Sequence, residues 1–213
     1  MARRILIAFG VVVVVLLLVI ASRPSTFRVV RSLLIPAPAN AVFTQVNDFH
    51  AWAGWSPWEK LDPAMKKTFS GAPTGAGSVY TWEGNDKVGE GRMTLEKSDR
   101  PSAISITLEF VKPVAATSRS DFAFTPEGAD TRVVWSMSGK NSFMAKAAGM
   151  FMDMDQMIGG DFEKGLASLS TTAQAQAKAE ADASAAAGAA SAAGARARAE
   201  AEATVAEKGN KKR

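Results

Sequence analysis

The sequence predicts an α+β domain, a curved antiparallel sheet of about seven strands wrapped around a long helix near the C-terminus, behind an N-terminal hydrophobic helix. Three observations carry this. From Lys66 to Ser138 apolar residues alternate at period two in segments joined by short turns, which only antiparallel neighbours allow. Phe151, Met154, Ile158, Phe162, Leu166 and Leu169 then recur at intervals of three and four, the stripe of a helix lying on a sheet. The chain opens with roughly 17 residues, Ile5 to Ala21, that are all apolar or glycine.

That leading run sits at the short end of what crosses a bilayer as a helix, and Arg3, Arg4 and Arg23 bracket it. It exceeds the usual core of a cleavable signal peptide, the competing reading with Val19 to Ala21 as cleavage site, so an uncleaved anchor over residues 1–23 is expected. Basic residues flank both ends, and the charge rule does not decide orientation cleanly. A leading segment of this kind usually directs export, so the expectation is a single-pass protein of a bacterial inner membrane with its domain outside the cytoplasm.

The domain proper is expected over residues 24–172. Phe27 to Ile35 is β-branched and apolar, stopped by Pro36 and Pro38, and reads as the first strand. A helix follows, with Val42, Val46 and Phe49 on one face, and then a short Trp-rich piece to Trp58. Six further strands are expected at 66–70, 78–84, 91–97, 103–110, 117–125 and 131–138. Turn chemistry at Gly84-Asn-Asp, Asp99-Arg-Pro101 and Pro126-Glu-Gly128 separates several of them. From 173 to 213 alanine alternates with polar residues, without a stripe that could dock, and Gly188 and Gly194 interrupt it. Frayed helix or disorder is expected there.

Composition excludes much. The chain has no cysteine, which removes disulfides, thiolate nucleophiles and thiolate metal sites. His50 is the sole histidine, so no metal site is expected and a histidine-dependent mechanism has one position to use. It sits beside Asp48, a pairing more in keeping with a surface or capping role. The net charge of +4 is spread along the chain, and nucleic acid is not the natural partner. Gly71 to Gly77 resembles a phosphate loop only superficially, because a strand follows it where a helix N-terminus is needed; a hairpin connection is expected.

The segments NDFHAWAGWSPW, GAGSVYTWEGNDKVGEGRMTL and WSMSGKNSFMAKAAGMFMDMDQMIGGDFEKGLASL resemble a bacterial polyketide cyclase/dehydrase-like protein of the START/Bet v 1-like (SRPBCC) superfamily, from about Phe27 to Thr172. The resemblance implies the helix-grip fold, with a pocket for lipids, sterols, polyketides or other hydrophobic molecules. It transfers no catalytic residue, since shared fold is not shared chemistry.

Within that frame the candidates for lining or gating a cavity are Trp52, Trp55 and Trp58 near the open end, Tyr80, Trp82, Phe110, Phe122 and Trp135 from the strands, and Met154 and Ile158 from the final helix. The alternative for the three early tryptophans is that they plug the core. Met144, Met150, Met152, Met154 and Met157 crowd the final helix and its approach, with Met154 on the stripe and Met152 off it. Gly159 and Gly160 weaken that helix, which close approach of the sheet or a bend would explain. Should the interior carry acid–base chemistry, Tyr80, Glu83, Glu109 or Asp121 are the groups that strand alternation can turn inward. The leading expectation is a membrane-tethered binder of an apolar small molecule or lipid, with no cofactor and no evident catalysis. A cyclase or dehydratase-type enzyme and an interaction module with a filled core are the alternatives.

Overall fold

The computed structural model describes residues 2–151 and 153–210, with the backbone alone from 200 onward. Two compact units divide the chain, residues 1–173 and 174–213. In the first, helix α1 (Ala2–Ser22) precedes strand β1 (Thr26–Ile35) and helix α2 (Ala39–Asn47). Two 3-10 turns follow, Phe49–Gly54 and Pro57–Lys60. Then come β2 (Lys66–Gly71), β3 (Ser78–Glu83), β4 (Glu90–Asp99), β5 (Ala103–Lys112), β6 (Ala116–Glu127) and β7 (Asp130–Lys140). The short helix α3 (Phe143–Ala148) leads into α4 (Met154–Asn210).

All seven strands form one antiparallel sheet in the order β1-β7-β6-β5-β4-β3-β2. Consecutive strands from β2 to β7 are hairpin neighbours, as their short joints require, while β1 pairs with β7 at the opposite edge from β2, so α2 and the two 3-10 turns connect the two edges of the sheet. The Gly71 to Gly77 stretch is the β2–β3 hairpin connection, and Gly71, Gly75 and Gly77 adopt positive φ there.

Period-two burial assigns the faces. Trp82, Met93, Ile106, Phe122, Trp135 and Val29 point to the side covered by α2 and the start of α4, where the core sits. Glu83, Glu109 and Asp121 fall on the opposite, convex face, where Glu109 pairs with Arg92 at 2.6 Å and Asp121 with Arg119 at 2.9 Å. Glu83 lies 3.4 Å from Lys66. The alternation that turns Tyr80 inward turns these three carboxylates outward, so the last three of the four acid–base candidates are surface ion pairs.

The C-terminal carbonyls of α2 lack intrahelical partners. Trp52 donates its indole N–H to the Val46 carbonyl at 3.0 Å, and Trp55 donates to that of Gln45 at 3.1 Å. The Trp-rich piece therefore folds back onto the helix that precedes it, and both rings are buried. Asp48 caps the first 3-10 turn by accepting from the His50 amide at 2.9 Å, while the half-exposed His50 ring stacks on Phe69 at 4.1 Å. The cap is thus Asp48, and the His50 ring lies at the surface with Nδ1 2.8 Å from the same carboxylate oxygen.

Along α4 the stripe places Phe162, Leu166, Leu169 and Ala173 in the core. It begins later than expected. Phe151 precedes the helix and is 87% exposed, and Met154 and Ile158 are half-buried. Of the other methionines, Met144 and Met157 are exposed, and Met152 lies outside the described residues.

Gly159 has a structural reason. A Cβ there would stand 1.9 Å from Nη2 of Arg31, which reaches inward from β1 to Asp155 at 2.9 Å and Glu163 at 2.8 Å. Hydrogen bonding to Arg31 holds the Asp155 carboxyl below the usual carboxylate range. Gly160 meets nothing within 4 Å. Gly159→Ala is expected to displace the guanidinium from both carboxylates, so thermal unfolding of Gly159→Ala, Arg31→Ala and the double variant should be non-additive. Additive losses would rule out this account of the glycine.

In the second unit, residues 174–210 are helical, Gly188 and Gly194 included. Alanine propensity and i,i+4 pairs such as Lys178 to Asp182 at 2.5 Å support a helix without an apolar stripe.

Candidate functional site

The concave face of the sheet has two halves. In the first, toward α2, aromatic rings fill the interior. Trp135 stacks on Phe162 at 3.9 Å and on Phe122 at 4.8 Å, and meets Trp55 edge-on at 5.7 Å and Trp58 at 5.8 Å. Phe122 stacks in turn against Phe124, and Trp52 closes on Trp55 at 4.6 Å. The indole of Trp135 donates to Ser120 Oγ at 2.9 Å, which satisfies its only polar atom in a dry setting. Gly165 lets α4 approach, since a Cβ there would come within 2.8 Å of the Trp135 ring.

The second half, toward the β7–α4 connection, is looser. One register row runs Phe27, Gly139, Ser118, Leu108 and Met93 across five strands. The next row pairs Phe110 with Gly91 and Gly91 with Trp82. Gly91 and Gly139 lie beneath aromatic rings: a Cβ at Gly91 would come within 2.5 Å of the Trp82 ring, and one at Gly139 within 2.7 Å of the Phe27 ring. Met93 keeps 8% of its surface accessible, Ser118 7% and Trp82 7%, while Leu108, Phe110 and Phe27 are half-buried. In the filled half Phe122, Ile104 and Val133 keep 1% or less. This half is therefore less tightly enclosed than the other, with Phe27, Leu108 and Phe110 half-buried along it.

At the β2–β3 edge of this looser half lies a polar cluster. Tyr80 donates its hydroxyl to Glu59 Oε1 at 2.8 Å, and Lys67 pairs with the other oxygen of the same carboxylate. The Glu59 side chain is only 8% exposed, and no buried side-chain polar atom among the described residues lacks a partner. Burial first, and then the hydrogen bond to the Glu59 carboxylate, push the Tyr80 phenol far above its ordinary range, so it is a donor at every physiological pH.

The ten residues singled out from sequence therefore part company. Trp52, Trp55, Phe122 and Trp135 belong to the filled half, and Trp58 stands half-buried at its margin against Phe162. Trp82 and Phe110, 5.8 Å apart and edge-on, belong to the looser half, with Tyr80 at its polar end. Met154 and Ile158 are half-buried at the start of α4. Sequence reasoning missed Glu59, Lys67, Met93, Leu108 and Ser118. Glu59 follows Trp58 directly, but its partner Tyr80 is 21 residues away, and nothing in the sequence marks the pair. Among the described residues no group of three metal-ligating side chains converges.

Solved structures share this architecture. A solution structure from Thermobifida fusca matches at 23% identity and a TM-score of 0.52, covering 70% of this chain and 94% of that one. A norcoclaurine synthase point mutant from Thalictrum flavum, in complex with a transition-state analogue, matches at 13% identity and 0.50 over 70% and 94%. Protein MLL2253 from Mesorhizobium loti matches at 17% and 0.50 over 68% and 96%. At these identities the likeness is one of fold, the helix-grip arrangement of a curved sheet around a long helix. No curated protein sequence matches. The family model described as polyketide cyclase / dehydrase and lipid transport matches residues 26–174, the whole of β1 through the packed part of α4, and the chain belongs to that family.

Proposed function

We propose that this chain binds an apolar or amphiphilic small molecule, a lipid in particular, in the looser half of its sheet–helix interior, without catalysing a reaction on it. The observation that carries the reading is the division of the concave face. Aromatic rings interlock in one half, while the other is walled by the half-buried Phe27, Leu108 and Phe110 together with Trp82 and Met93, side chains that must shift to admit a ligand. At about 25 cal/mol per Å2, burying roughly 400 Å2 of apolar ligand surface is worth about 10 kcal/mol, the range needed to retain a lipid-like molecule through purification. Tyr80, Glu59 and Lys67 supply one polar end against which a ligand's polar group can be oriented.

Helix α1 is long and apolar enough to cross a membrane. In this reading it tethers the domain in a single pass, in a bacterial inner membrane with the domain outside the cytoplasm, and raises the effective concentration of lipid at the site. The domain would then comprise residues 24–172, with 1–23 as anchor.

The test is the chain from Arg23 onward, purified without detergent and extracted with organic solvent for mass spectrometry. A stoichiometric apolar molecule is expected, and Leu108→Trp, which fills the looser half, should lower its retention at least about tenfold. An empty extract, together with no uptake of a fluorescent fatty acid, would overturn the reading.

A second reading rests on the same polar cluster. Tyr80, held neutral beside a buried carboxylate, is a hydrogen-bond donor that a cyclase or dehydratase-type enzyme can set against a substrate oxygen. It expects Tyr80→Phe to abolish turnover of a bound polyketide-like substrate without weakening its binding. The binding reading expects no turnover in either form.

A further inference from the structure

A second recess lies outside the sheet–helix interior. It is an open cleft of about 470 Å3 between the end of α1, the start of β1 and the β7–α4 connection. Its polar lining includes Arg23, Asn141 and Lys146, and its apolar lining includes Phe27, Met150 and Phe151. One carboxylate, that of Asp153, also lines it, and it is engaged in accepting from the Gln156 amide at 3.1 Å at the start of α4. Two cations therefore face one anion already committed to a helix cap.

The position of the cleft matters more than its charge. Ile20 is the sole residue of α1 that is buried in the chain, α1 meets α3 there, and Lys146 donates to the Ala21 carbonyl at 3.2 Å. The apolar helix thus ends where α3 begins. Phe143, Met144 and Phe151 stand exposed around the same connection, at 49%, 71% and 87%. A soluble surface gains nothing from three such side chains together, whereas a bilayer boundary accepts them. On the inner side, the wall of the cleft is Phe27, whose ring occupies the space beside Gly139 and Ser118 in the looser half of the concave face.

We propose that this cleft takes a single anionic phospholipid from the leaflet adjoining α1, its phosphate at Arg23 and Lys146 and an acyl chain along Phe27, Met150 and Phe151 toward the interior. The proposal rests on α1 spanning the membrane, since only then does a leaflet adjoin the cleft.

The experiment uses the full chain in nanodiscs of equimolar phosphatidylcholine and phosphatidylglycerol, with native mass spectrometry of the lipid that stays bound on release. Phosphatidylglycerol should be retained over phosphatidylcholine by about thirtyfold, the size expected of two basic side chains near the surface. Arg23→Gln with Lys146→Gln should bring the ratio to parity. Lys97→Gln with Lys164→Gln, the same loss of charge outside the cleft, should leave it unchanged. Parity in the unmodified chain, or equal loss in both double variants, overturns the cleft as a site. Alkaline carbonate extraction of membranes separates the two failures: a chain that resists extraction but shows no lipid preference defeats the cleft alone, and a chain that is extracted defeats the tether and the cleft together.

Discussion

Replacing Trp135 by alanine is expected to destabilise the domain by about 3 to 5 kcal/mol, the cost of removing a large buried aromatic where its surroundings relax only in part. The indole lies at the centre of the filled half, against Phe162, Phe122, Trp55 and Trp58. It is 2% exposed, and its N–H is matched by Ser120. Alanine would leave a cavity bounded by rings from β6, the Trp-rich turns and α4, elements that cannot all collapse inward because β6 is held in its ladder and Gly165 already brings α4 as close as it can come. Urea unfolding of the chain from Arg23 should show a lower midpoint with an unchanged slope. A loss below about 1 kcal/mol would mean that the aromatic half does not carry the stability assigned to it. Phe110→Ala, in the looser half, should cost less, because a half-buried ring has less surface to lose.

The second large effect concerns alkaline pH. Tyr80 is the only tyrosine in the chain, so phenolate absorbance reports this site alone. The phenol is raised in the folded state by burial and by the Glu59 carboxylate, while in the unfolded chain it titrates near pH 10. For an acid whose folded value is raised, the stabilising contribution is fully present below the unfolded value and is lost as pH rises above it. Above about pH 10 the folding constant should therefore fall by up to about tenfold per pH unit through this one group. Absorbance near 295 nm should stay flat through pH 10 and rise only together with the loss of near-ultraviolet circular dichroism. Glu59→Gln should bring the rise to lower pH, since the remaining amide no longer opposes a phenolate with negative charge. A smooth phenolate titration centred near pH 10 in the folded protein would show that Tyr80 is not held as described.

The cluster also shows where sequence reading stopped. Trp58 and Glu59 are adjacent and Lys67 follows eight residues later, yet whether Glu59 faces solvent or Tyr80 is decided by the Pro57–Lys60 turn and by the register Lys67 to Trp82 in β2–β3. Neither is written in local periodicity. Arg31 is a comparable case. A charged residue in a strand suggests the solvent face, but alternation from Val29 turns it toward α4, where Gly159 gives it room. The apolar stripe, conversely, extended one turn too far, because Phe151 is in phase with Ile158 and Phe162 but lies before the helix begins.

The sequence by itself determined the element order, the antiparallel pairing and the apolar face of α4. Short polar joints admit only hairpins, and the periods of two and 3.6 are properties of the backbone that local residues reveal. It also determined that neither thiol nor multi-histidine chemistry is available, since those residues are absent. Only the tertiary structure decided which half of the concave face is tightly packed and which is looser, which tryptophans are core, and that Glu59 meets Tyr80. Those outcomes depend on the volumes that distant strands and helices bring to one place. Such sums have no local signature: Gly139 makes room for the Phe27 ring only because the sheet sets the two side by side from opposite ends of the domain.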